Sequence, residues 1–420
     1  MGRFIVMDIV FYAGSLNYDQ GSGNYQELKK ITKWDGKQYT FVSRYALRYS
    51  LLETGKQFGL WQIAEGESLS TEGKGDQKVI QPAEKLLFTG EILKYPEFDL
   101  FGYLITSTTP QNFREAPVKI SHAVSMTPFN YDALFNANLG LANRLRKIKG
   151  DMKPNPFTSE EHMTYYLYSV VVDLERIGQI ESYYQIKGED KRGLSIEVKD
   201  NALTLFTIDK NKKKKELLPP IAISDKSYNL SELILPIASA AVPEELKNIV
   251  KFNPESDVVI WKYELTENKK RRRVKNLIQA ILKLRRYIKG RDEDLSPKLL
   301  VLGLYKDVPY RTYRDKIILK DEYTEEEHDE IITEQKDGKI VRKVIHKVSR
   351  SKKPIFEIYG KKIDEEGLGN VWDHISKFFG FSERNKQKEE EGQEKVYIFH
   401  DPSIEVRVVE QTKGKNKEGE

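Results

Sequence analysis

The chain opens on the run Phe4-Ile5-Val6-Met7-Asp8-Ile9-Val10-Phe11-Tyr12, followed by the loop Ser15-Leu16-Asn17-Tyr18-Asp19-Gln20-Gly21-Ser22-Gly23-Asn24. The apolar residues of the run cluster and alternate as they do in a half-buried strand. The loop consists of small and amide side chains, and glycine lets a polyanion approach backbone N–H groups closely. We therefore predict a strand at about Arg3–Ala13 whose loop presents four candidate ligands of phosphate or sugar oxygens: Asn17, Gly21, Gly23 and Asn24.

A short capped helix is predicted at about Arg44–Glu53. Ser43 is a suitable N-cap residue. Arg44 and Arg48 are four residues apart and share one helical face, while Leu47, Leu51 and Leu52 form an apolar face. A strand, an amide-rich loop and a two-arginine face together indicate a nucleic-acid surface rather than a small-molecule pocket.

The chain is predicted to contain six core elements in the order strand, helix, strand, strand, helix, strand. After the two already described come strands at Val118–Met126 and Met163–Asp173, a helix at Arg272–Lys289 and a strand at Lys298–Tyr305. This order predicts an α+β fold with a ferredoxin-like core. Such a sheet leaves one face without helices, which RNA-recognition modules use.

Four stretches follow one another as Gly14–Asn24, Arg44–Arg48, Asp99–Gly102 and Arg114–Ser121. In this order and spacing they resemble the DevR-type backbone protein of the type I-B CRISPR Cascade complex, within the RAMP superfamily. The resemblance covers roughly residues 1–175 and, beyond them, only a helix and a strand. It implies an RRM-like RAMP palm with long insertions that form finger and thumb elements.

The resemblance also implies the partners and the role of the protein. We expect a non-catalytic subunit that binds CRISPR guide RNA, polymerises along it with copies of itself and joins other Cascade subunits. It would present the spacer for pairing with target DNA, and because every spacer differs, its RNA contacts must be independent of sequence.

The domain organisation is predicted from composition and from this resemblance. Residues 1–310 form the palm with its insertions, and residues 311–410 form a C-terminal extension packed on the core. Residues 411–420 contain nothing to bury and are expected to be disordered. The insertions are a finger-like segment at about 55–97, a thumb-like arm at about 127–162 and an additional insertion at 176–270.

Further RNA-binding candidates lie on the predicted strand at Val118–Met126 and beside it. Alternation places Lys119, Ser121, Ala123 and Ser125 on one cationic, hydroxylic face. Arg114 lies at the strand's entry, and Phe129 follows it in the arm, where it either wedges between bases or packs against the domain. His122 on the same strand is more consistent with a structural role.

A second group of candidates leads into the predicted helix at Arg272–Lys289. Five successive cations, Lys269–Arg273, lie where the helix macrodipole disfavours positive charge. An acidic partner such as a phosphate backbone accounts for them, and Arg271, Arg272 and Arg273 are therefore added to the predicted RNA-binding residues. The competing interpretation is a solvated helix end.

Composition limits the class of protein. The chain has 420 residues, 39% hydrophobic residues, 32% charged residues, no cysteine and a formal net charge of +5. It can bury a substantial core, and cysteine-based zinc, disulfide or nucleophile chemistry is excluded. No apolar signal core or membrane span is evident, so we expect a cytoplasmic protein without a membrane partner.

The sequence predicts no catalytic activity, and it predicts neither a metal site nor a cofactor site. The six histidines form no His-x-His or His-x-x-x-His pair. Asp19 is a lone loop carboxylate beside Gly21, better suited to capping a turn than to acid–base work. Two alternatives stay open: a metal-dependent RNA endonuclease of the type III backbone kind that uses Asp19, and a DNA-binding regulator, which would need a helix-turn-helix or a palindromic dimer.

Overall fold

The computed structural model describes most of the chain. The described residues are 2–73, 75, 78–108, 110–151, 153–185, 195–199, 202–208, 214–216, 220–222, 246–253, 258–321, 324–336, 339–351, 353–359, 364–381 and 392–409. The predicted disordered tail, 411–420, lies outside them, as does much of the predicted insertion at 176–270.

A large sheet forms the centre of the fold, and its strands are numbered in chain order. They are β1 (Arg3–Gly14), β2 (Lys30–Thr32), β3 (Gln38–Val42), β4 (Val118–Ile120), β5 (Ala123–Ser125), β6 (Met163–Asp173), β7 (Leu299–Lys306), β8 (Asp364–Gly367) and β9 (Glu394–His400). Their spatial order is β8-β9-β7-β1-β6-β5-β3-β2, with β4 also paired to β6. Strands β7, β1 and β6 lie next to one another in the interior of this sheet.

The long strand β1 sets the register of the sheet. It pairs antiparallel with β6 from Phe4 opposite Asp173 to Gly14 opposite Met163. On its other side it pairs antiparallel with β7, with Ile9 opposite Leu300. The four core strands predicted from sequence therefore lie side by side in the order β7-β1-β6-β5. Numbered by their position along the chain, these are the fourth, first, third and second predicted strands.

Six α-helices are described: α1 (Arg44–Gln57), α2 (Lys85–Thr89), α3 (Pro96–Phe101), α4 (Leu139–Lys149), α5 (Glu267–Leu282) and α6 (Val371–Phe378). None of the described helices is long and apolar enough to cross a bilayer. Helices α1, α5 and α6 cover one face of the large sheet, where Met7 and Phe11 of β1 meet Leu51, Leu277 and Ile375 in one buried cluster.

The opposite face of the sheet is also covered, contrary to the expectation of a helix-free face open to RNA. Val10 and Val301 pack there against Phe356 and Ile358, which belong to a small sheet of strands Ile317–Asp321, Ile355–Tyr359 and Glu405–Val409. Apolar side chains on both faces of β1 and β7 require two cover layers. RNA therefore has no access to this central sheet face.

The remaining strands form small sheets, hairpins and insertions around this core. They are Tyr25–Gln26, Leu69–Glu72, Val79–Pro82, Tyr103–Ile105, Asn112–Arg114, Ala133–Ala137, Pro156–Glu160, Gln179–Gln185, Ser195–Lys199, Ala202–Ile208, Lys214–Glu216, Ile221–Ala222, Leu246–Asn253, Val258–Leu265, Arg285–Ile288, Arg291–Asp294, Thr324–Lys336 and Lys339–Ser351.

The predicted strand at Val118–Met126 is interrupted. Ile120 pairs with Val170 but Val124 pairs with Leu167, so this strand holds one more residue than its partner, as in a β-bulge. The extra residue exchanges the two faces: Lys119 is exposed, whereas Ala123 and Ser125 are fully buried. The prediction that these three side chains share one face is therefore wrong.

The second predicted helix also ends earlier than expected. It runs as α5 from Glu267 to Leu282 instead of reaching Lys289. Residues Arg285–Ile288 instead form a hairpin with Arg291–Asp294, closed by Lys289 and Gly290, which both have positive φ. A two-residue turn with two positive φ values matches the twist of a hairpin, and glycine at the second position makes it accessible.

A buried carboxylate joins the periphery of the fold to the core. Asp99 of α3 is fully buried, and its carboxylate accepts hydrogen bonds from Arg114 Nη2 at 2.8 Å, Arg273 Nη1 at 2.7 Å and the Gly178 N–H at 2.9 Å. We call these four residues the Asp99 cluster. They come from α3, from strand Asn112–Arg114, from α5 and from the turn before strand Gln179–Gln185.

We expect Asp99→Ala to destabilise the protein strongly. Removing the Asp99 carboxylate leaves two largely buried guanidinium groups without their partner, a change that costs about 3–5 kcal/mol. The midpoint of urea unfolding, followed by circular dichroism, should fall clearly. Glu175→Ala, which removes an exposed ion pair with Arg3, is the control and should leave the midpoint almost unchanged. Equal midpoints for the two variants would refute a central role for Asp99.

Candidate nucleic-acid interface

Helix α1 is built as the sequence predicts at its start. Ser43 Oγ accepts a hydrogen bond from the Ala46 N–H at 3.2 Å and caps the helix. Leu47 and Leu51 are buried in the core, whereas Arg44 and Arg48 are exposed. The helix thus buries its apolar face and presents both guanidinium groups on the protein surface.

These arginines line a surface cavity of about 340 Å³ together with Lys119. The rest of its lining is Tyr45, Phe101, Ala116, Val118 and Ile120. Three cations predicted separately from sequence are therefore brought together around one apolar floor, and the lining contains no carboxylate. We call this the first cavity.

Tyr45 is part of the first cavity but was not among the residues predicted from sequence. Arg44 Nη2 donates to Tyr45 Oη at 2.9 Å, and the guanidinium carbon lies 4.9 Å from the ring centroid. This hydrogen bond, together with the positive charge of Arg44, lowers the pKa of the Tyr45 hydroxyl. The signal was available, since a tyrosine follows each arginine in Arg44-Tyr45-Ala46-Leu47-Arg48-Tyr49, and interleaved aromatic and basic residues are typical of single-strand binding surfaces.

His122 has a structural role beside the first cavity. Its Nδ1 accepts the Arg44 N–H at 2.9 Å, so this nitrogen carries no proton. Partial burial, and then the nearby Arg44 charge, lowers the pKa of the imidazole and favours the neutral form. His122 thereby helps fix the first turn of α1, in agreement with the structural role favoured by the sequence.

Lys119 and Ser121 differ in how free their side chains are. Lys119 is exposed and makes an ion pair with Glu115 at 3.1 Å, which solvent screens. Ser121 Oγ accepts the Ser169 N–H at 2.9 Å and donates to the His122 carbonyl at 3.1 Å. The Ser121 hydroxyl is thus occupied inside the sheet at the bulge, whereas Lys119 can exchange its surface partner.

The loop after β1 folds into a tight hairpin. Ser22 and Tyr25 exchange two backbone hydrogen bonds, both 3.0 Å long. Gly21 has φ +68°, and a Cβ atom there would lie 2.3 Å from the Tyr25 carbonyl oxygen, so only glycine fits. Gly21, Gly23 and Asn24 are exposed at its tip, but Asn17 is only 7% exposed. The hairpin tip, rather than the Asn17 side chain, is accessible to a ligand.

Asp19 serves the turn of this hairpin. Its Oδ1 accepts the Gln20 N–H and the Lys29 ammonium, both at 3.0 Å. The hydrogen bond from Lys29 is the main cause of the lowered pKa of this carboxyl. Among the described residues no group of three or more acidic or histidine side chains is arranged to hold a metal ion.

Phe129 and the predicted arm contact the body of the protein at the arm's base. The Phe129 N–H donates to the Gln38 carbonyl at 2.7 Å, and its ring lies edge-on to His162 at 5.6 Å. Lys30 Nζ lies 4.8 Å from the Phe129 ring centroid. Of the two roles considered, packing of the arm against the domain agrees with these contacts.

Two predicted RNA-binding arginines instead serve the interior. In addition to Asp99, Arg114 donates from Nη2 to the Arg176 carbonyl at 2.5 Å and from Nη1 to the Gln179 carbonyl. Its side chain is 9% exposed, and that of Arg273 is 12% exposed. Sequence patterns did not identify Asp99 as their partner, because Asp99 is 15 residues from Arg114 and 174 residues from Arg273 along the chain. The guanidinium groups of Arg114 and Arg273 are therefore committed to the Asp99 cluster.

Lys270 and Arg271 at the start of α5 point away from Arg272, because successive helical residues are 100° apart. Lys270 Nζ binds Glu264 at 2.5 Å, and the Arg271 guanidinium lies 5.7 Å from the Phe381 ring centroid. Arg272 is exposed. The predicted triplet Arg271–Arg273 is therefore not a single surface.

The sequence of this chain is similar to that of known CRISPR-associated proteins. A family model described as "CRISPR-associated negative auto-regulator DevR/Csa2" matches residues 5–328. The protein "CRISPR-associated protein Cas7/Cst2/DevR" of Myxococcus xanthus (strain DK1622) is 26% identical over 175 residues, 37% of this chain and 52% of that protein. The match thus spans about half of the relative's length.

Two solved structures are similar over a large part of the chain. The first, "CRISPR RNA-guided surveillance complex, pre-nicking", covers 73% of this chain and 80% of its own, at a TM-score of 0.35 and 10% identity. The second, "CRISPR RNA-guided surveillance complex", covers 73% and 72%, at a TM-score of 0.31 and 9% identity. These TM-scores are too low to define the fold, so the assignment of the chain to a family rests on the match of its sequence to the family model. Since the family model spans most of the chain, the protein belongs to the DevR/Csa2 family of CRISPR-associated proteins, which confirms the family predicted from the resemblance.

Proposed function

We propose that this protein is a non-catalytic backbone subunit that binds CRISPR guide RNA in a type I interference complex. The observation that carries the proposal is the first cavity, where Arg44, Arg48 and Lys119 surround an apolar floor. Membership of the DevR/Csa2 family supports it. So does the antiparallel order of the four core strands, from which we infer a ferredoxin-like palm of the RAMP type.

The chemistry of the first cavity suits RNA of any sequence. Guanidinium and ammonium groups bind phosphate oxygens, which are the same at every nucleotide. Tyr45 is 60% exposed beside Arg44 and can stack on any base. The exposed Gly21, Gly23 and Asn24 of the hairpin tip offer further backbone contacts. Together these groups hold a spacer without reading its base edges, as pairing with target DNA requires.

The arm supplies a surface for contact between copies. Its helix α4 exposes Leu141 (55%), Leu145 (37%) and Ile148 (82%) on one face, since they are spaced four and three residues apart. Exposed apolar stripes of this kind mark protein contact sites. We propose that this face bridges to the next copy along the guide in the cytoplasm, beside other subunits of the complex.

A second candidate function is DNA-binding regulation, because the matching family model is described as a negative auto-regulator. A regulator would select one DNA sequence through base-edge contacts in a groove. The first cavity offers charge and an apolar floor instead. Regulation would therefore have to act through a surface other than the first cavity.

If Arg44 and Arg48 contact the guide backbone, replacing both with Ala weakens RNA binding to a similar extent for unrelated sequences. The slope of log K against log salt should become shallower by about one to two units, at ~0.7 for each phosphate that the protein no longer neutralises. Fluorescence anisotropy at several salt concentrations measures both the RNA affinity and the slope of its salt dependence. Lys275→Ala/Lys283→Ala removes two cations elsewhere on the same fold and should bind RNA as the parent does. Weakening confined to particular sequences would contradict backbone contact.

Asp19→Ala tests the endonuclease alternative. Because Asp19 is held by Lys29 within a turn, the variant should load RNA normally, and the parent protein with magnesium should leave a paired target RNA intact. Denaturing gels of labelled target RNA check this. Metal-dependent cleavage that disappears in Asp19→Ala would establish the endonuclease instead.

The triple variant Leu141→Ser, Leu145→Ser, Ile148→Ser tests the arm. These side chains are exposed in the single chain, so its thermal unfolding should be unchanged while assembly on long RNA is abolished. Size-exclusion chromatography with and without RNA measures assembly. The control Val79→Ser/Ile80→Ser removes exposed apolar groups (57% and 71%) elsewhere and should assemble. Normal assembly of the triple variant would exclude the α4 face as the contact between copies.

A further inference from the structure

A second surface cavity, of about 310 Å³, lies against the first half of α5. We call it the second cavity, and its cations are Lys94, Lys269, Arg272 and Arg273. Its remaining lining is neutral and comes from α5, from Leu265 and from residues 60–62 and 90–96, so no carboxylate lines the opening. It shares no lining residue with the first cavity.

The cations of the second cavity follow one face of α5. Lys269, Arg272, Arg273 and Asn276 are spaced as i, i+3, i+4 and i+7, which is a single helical face. Asn276 Nδ2 donates to the Leu60 carbonyl at 2.6 Å and ties this face to the opposite wall. The wall is thus fixed by the fold, and the positive charges are held along it.

This arrangement is electrostatically unfavourable for the protein by itself. The positive end of the α5 macrodipole lies in the same turn as Lys269, and Thr266 provides no side-chain cap. Partial burial and the charges of Arg272 and Arg273 lower the pKa of the Lys269 ammonium. Arg273 is neutralised by Asp99 and Lys94 by Glu91, but no carboxylate of the described residues makes an ion pair with Arg272.

We propose that the second cavity is a phosphate-binding site for a nucleic-acid strand, separate from the first cavity. Arg272 has no anionic partner among the described residues, and the cavity, at about 310 Å³, is wide enough for a nucleotide's phosphate and sugar. Two cation-lined cavities at the two ends of one short helix favour a polymer over a free phosphate. Pro96 lines the second cavity and Phe101 the first, and these are the two ends of α3, a helix of six residues.

At 1.5 Å per residue, the five steps from Pro96 to Phe101 advance roughly 7.5 Å along α3. That interval is short enough for one strand to continue from the first cavity to the second, and it equally allows a second strand to lie alongside. The bound chemistry is a backbone phosphate in both cases. The inference rests on the proposed function and extends it, and its test distinguishes failure of the second cavity from failure of the first.

The test is the double variant Lys269→Ala/Arg272→Ala, with Lys275→Ala/Lys283→Ala as the matched control. One probe is a fluorescent 20-nucleotide RNA of mixed sequence bound directly. The other is a fluorescent 20-nucleotide DNA added to protein saturated with unlabelled RNA.

We expect the variant to bind at least one probe more weakly, with a salt slope shallower by about 1.4 for two phosphate contacts at ~0.7 each. Weaker RNA binding assigns the site to the same strand, and weaker DNA binding assigns it to a second strand.

The inference is overturned if the variant binds both probes as the control does. Arg272→Gln, a single change at an exposed residue, is measured in parallel and should show about half the change in slope. Thermal unfolding of each variant confirms that it is folded. If Arg44→Ala/Arg48→Ala binds RNA normally while Lys269→Ala/Arg272→Ala does not, the first cavity fails as the guide surface and the second cavity stands.

Discussion

The interaction on which the rest of the fold depends is the burial of the Asp99 carboxylate between Arg114, Arg273 and the Gly178 N–H. An isolated buried charge is very costly, and a buried ion pair is stable only when its remaining hydrogen bonds are satisfied. Here three donors from three distant segments meet one carboxylate. The peripheral segments that carry Asp99, Arg114 and Gly178 are therefore held to α5 by a charge cluster that tolerates little displacement.

The Asp99 cluster also determines where the cationic surfaces lie. Asp99 belongs to α3, whose ends line the two cavities. Arg273 anchors α5 to Asp99. Its neighbour Arg272, rotated by 100° around the helix axis, lines the second cavity. On the other side, α3 supplies Phe101 to the apolar floor beneath Arg44 and Arg48. Buried charge thus fixes the scaffold, and exposed charge on the same helices remains available to a polyanion.

Much of the core could be predicted from sequence because its signals are local. The apolar pattern of β1 and β6 and the cap at Ser43 each depend on a few neighbouring residues, and the structure confirms them. The bulge at Ser121 could not be predicted, since a single extra residue leaves the apolar pattern plausible while exchanging its faces. The roles of Arg114 and Arg273 depend on a partner far away in sequence. An exposed arginine and a buried one look identical in a linear pattern, which is why only some of the predicted site residues lie together on the surface.

The central claim is that the protein holds RNA by contacts independent of sequence. The most direct measurement is to extract the nucleic acid that co-purifies with the protein from its native host and to determine its chemistry, length and sequences. RNA of defined length, whose sequences differ widely from molecule to molecule, is the expected result. DNA of a single recurrent sequence, or protein free of nucleic acid, would contradict the claim.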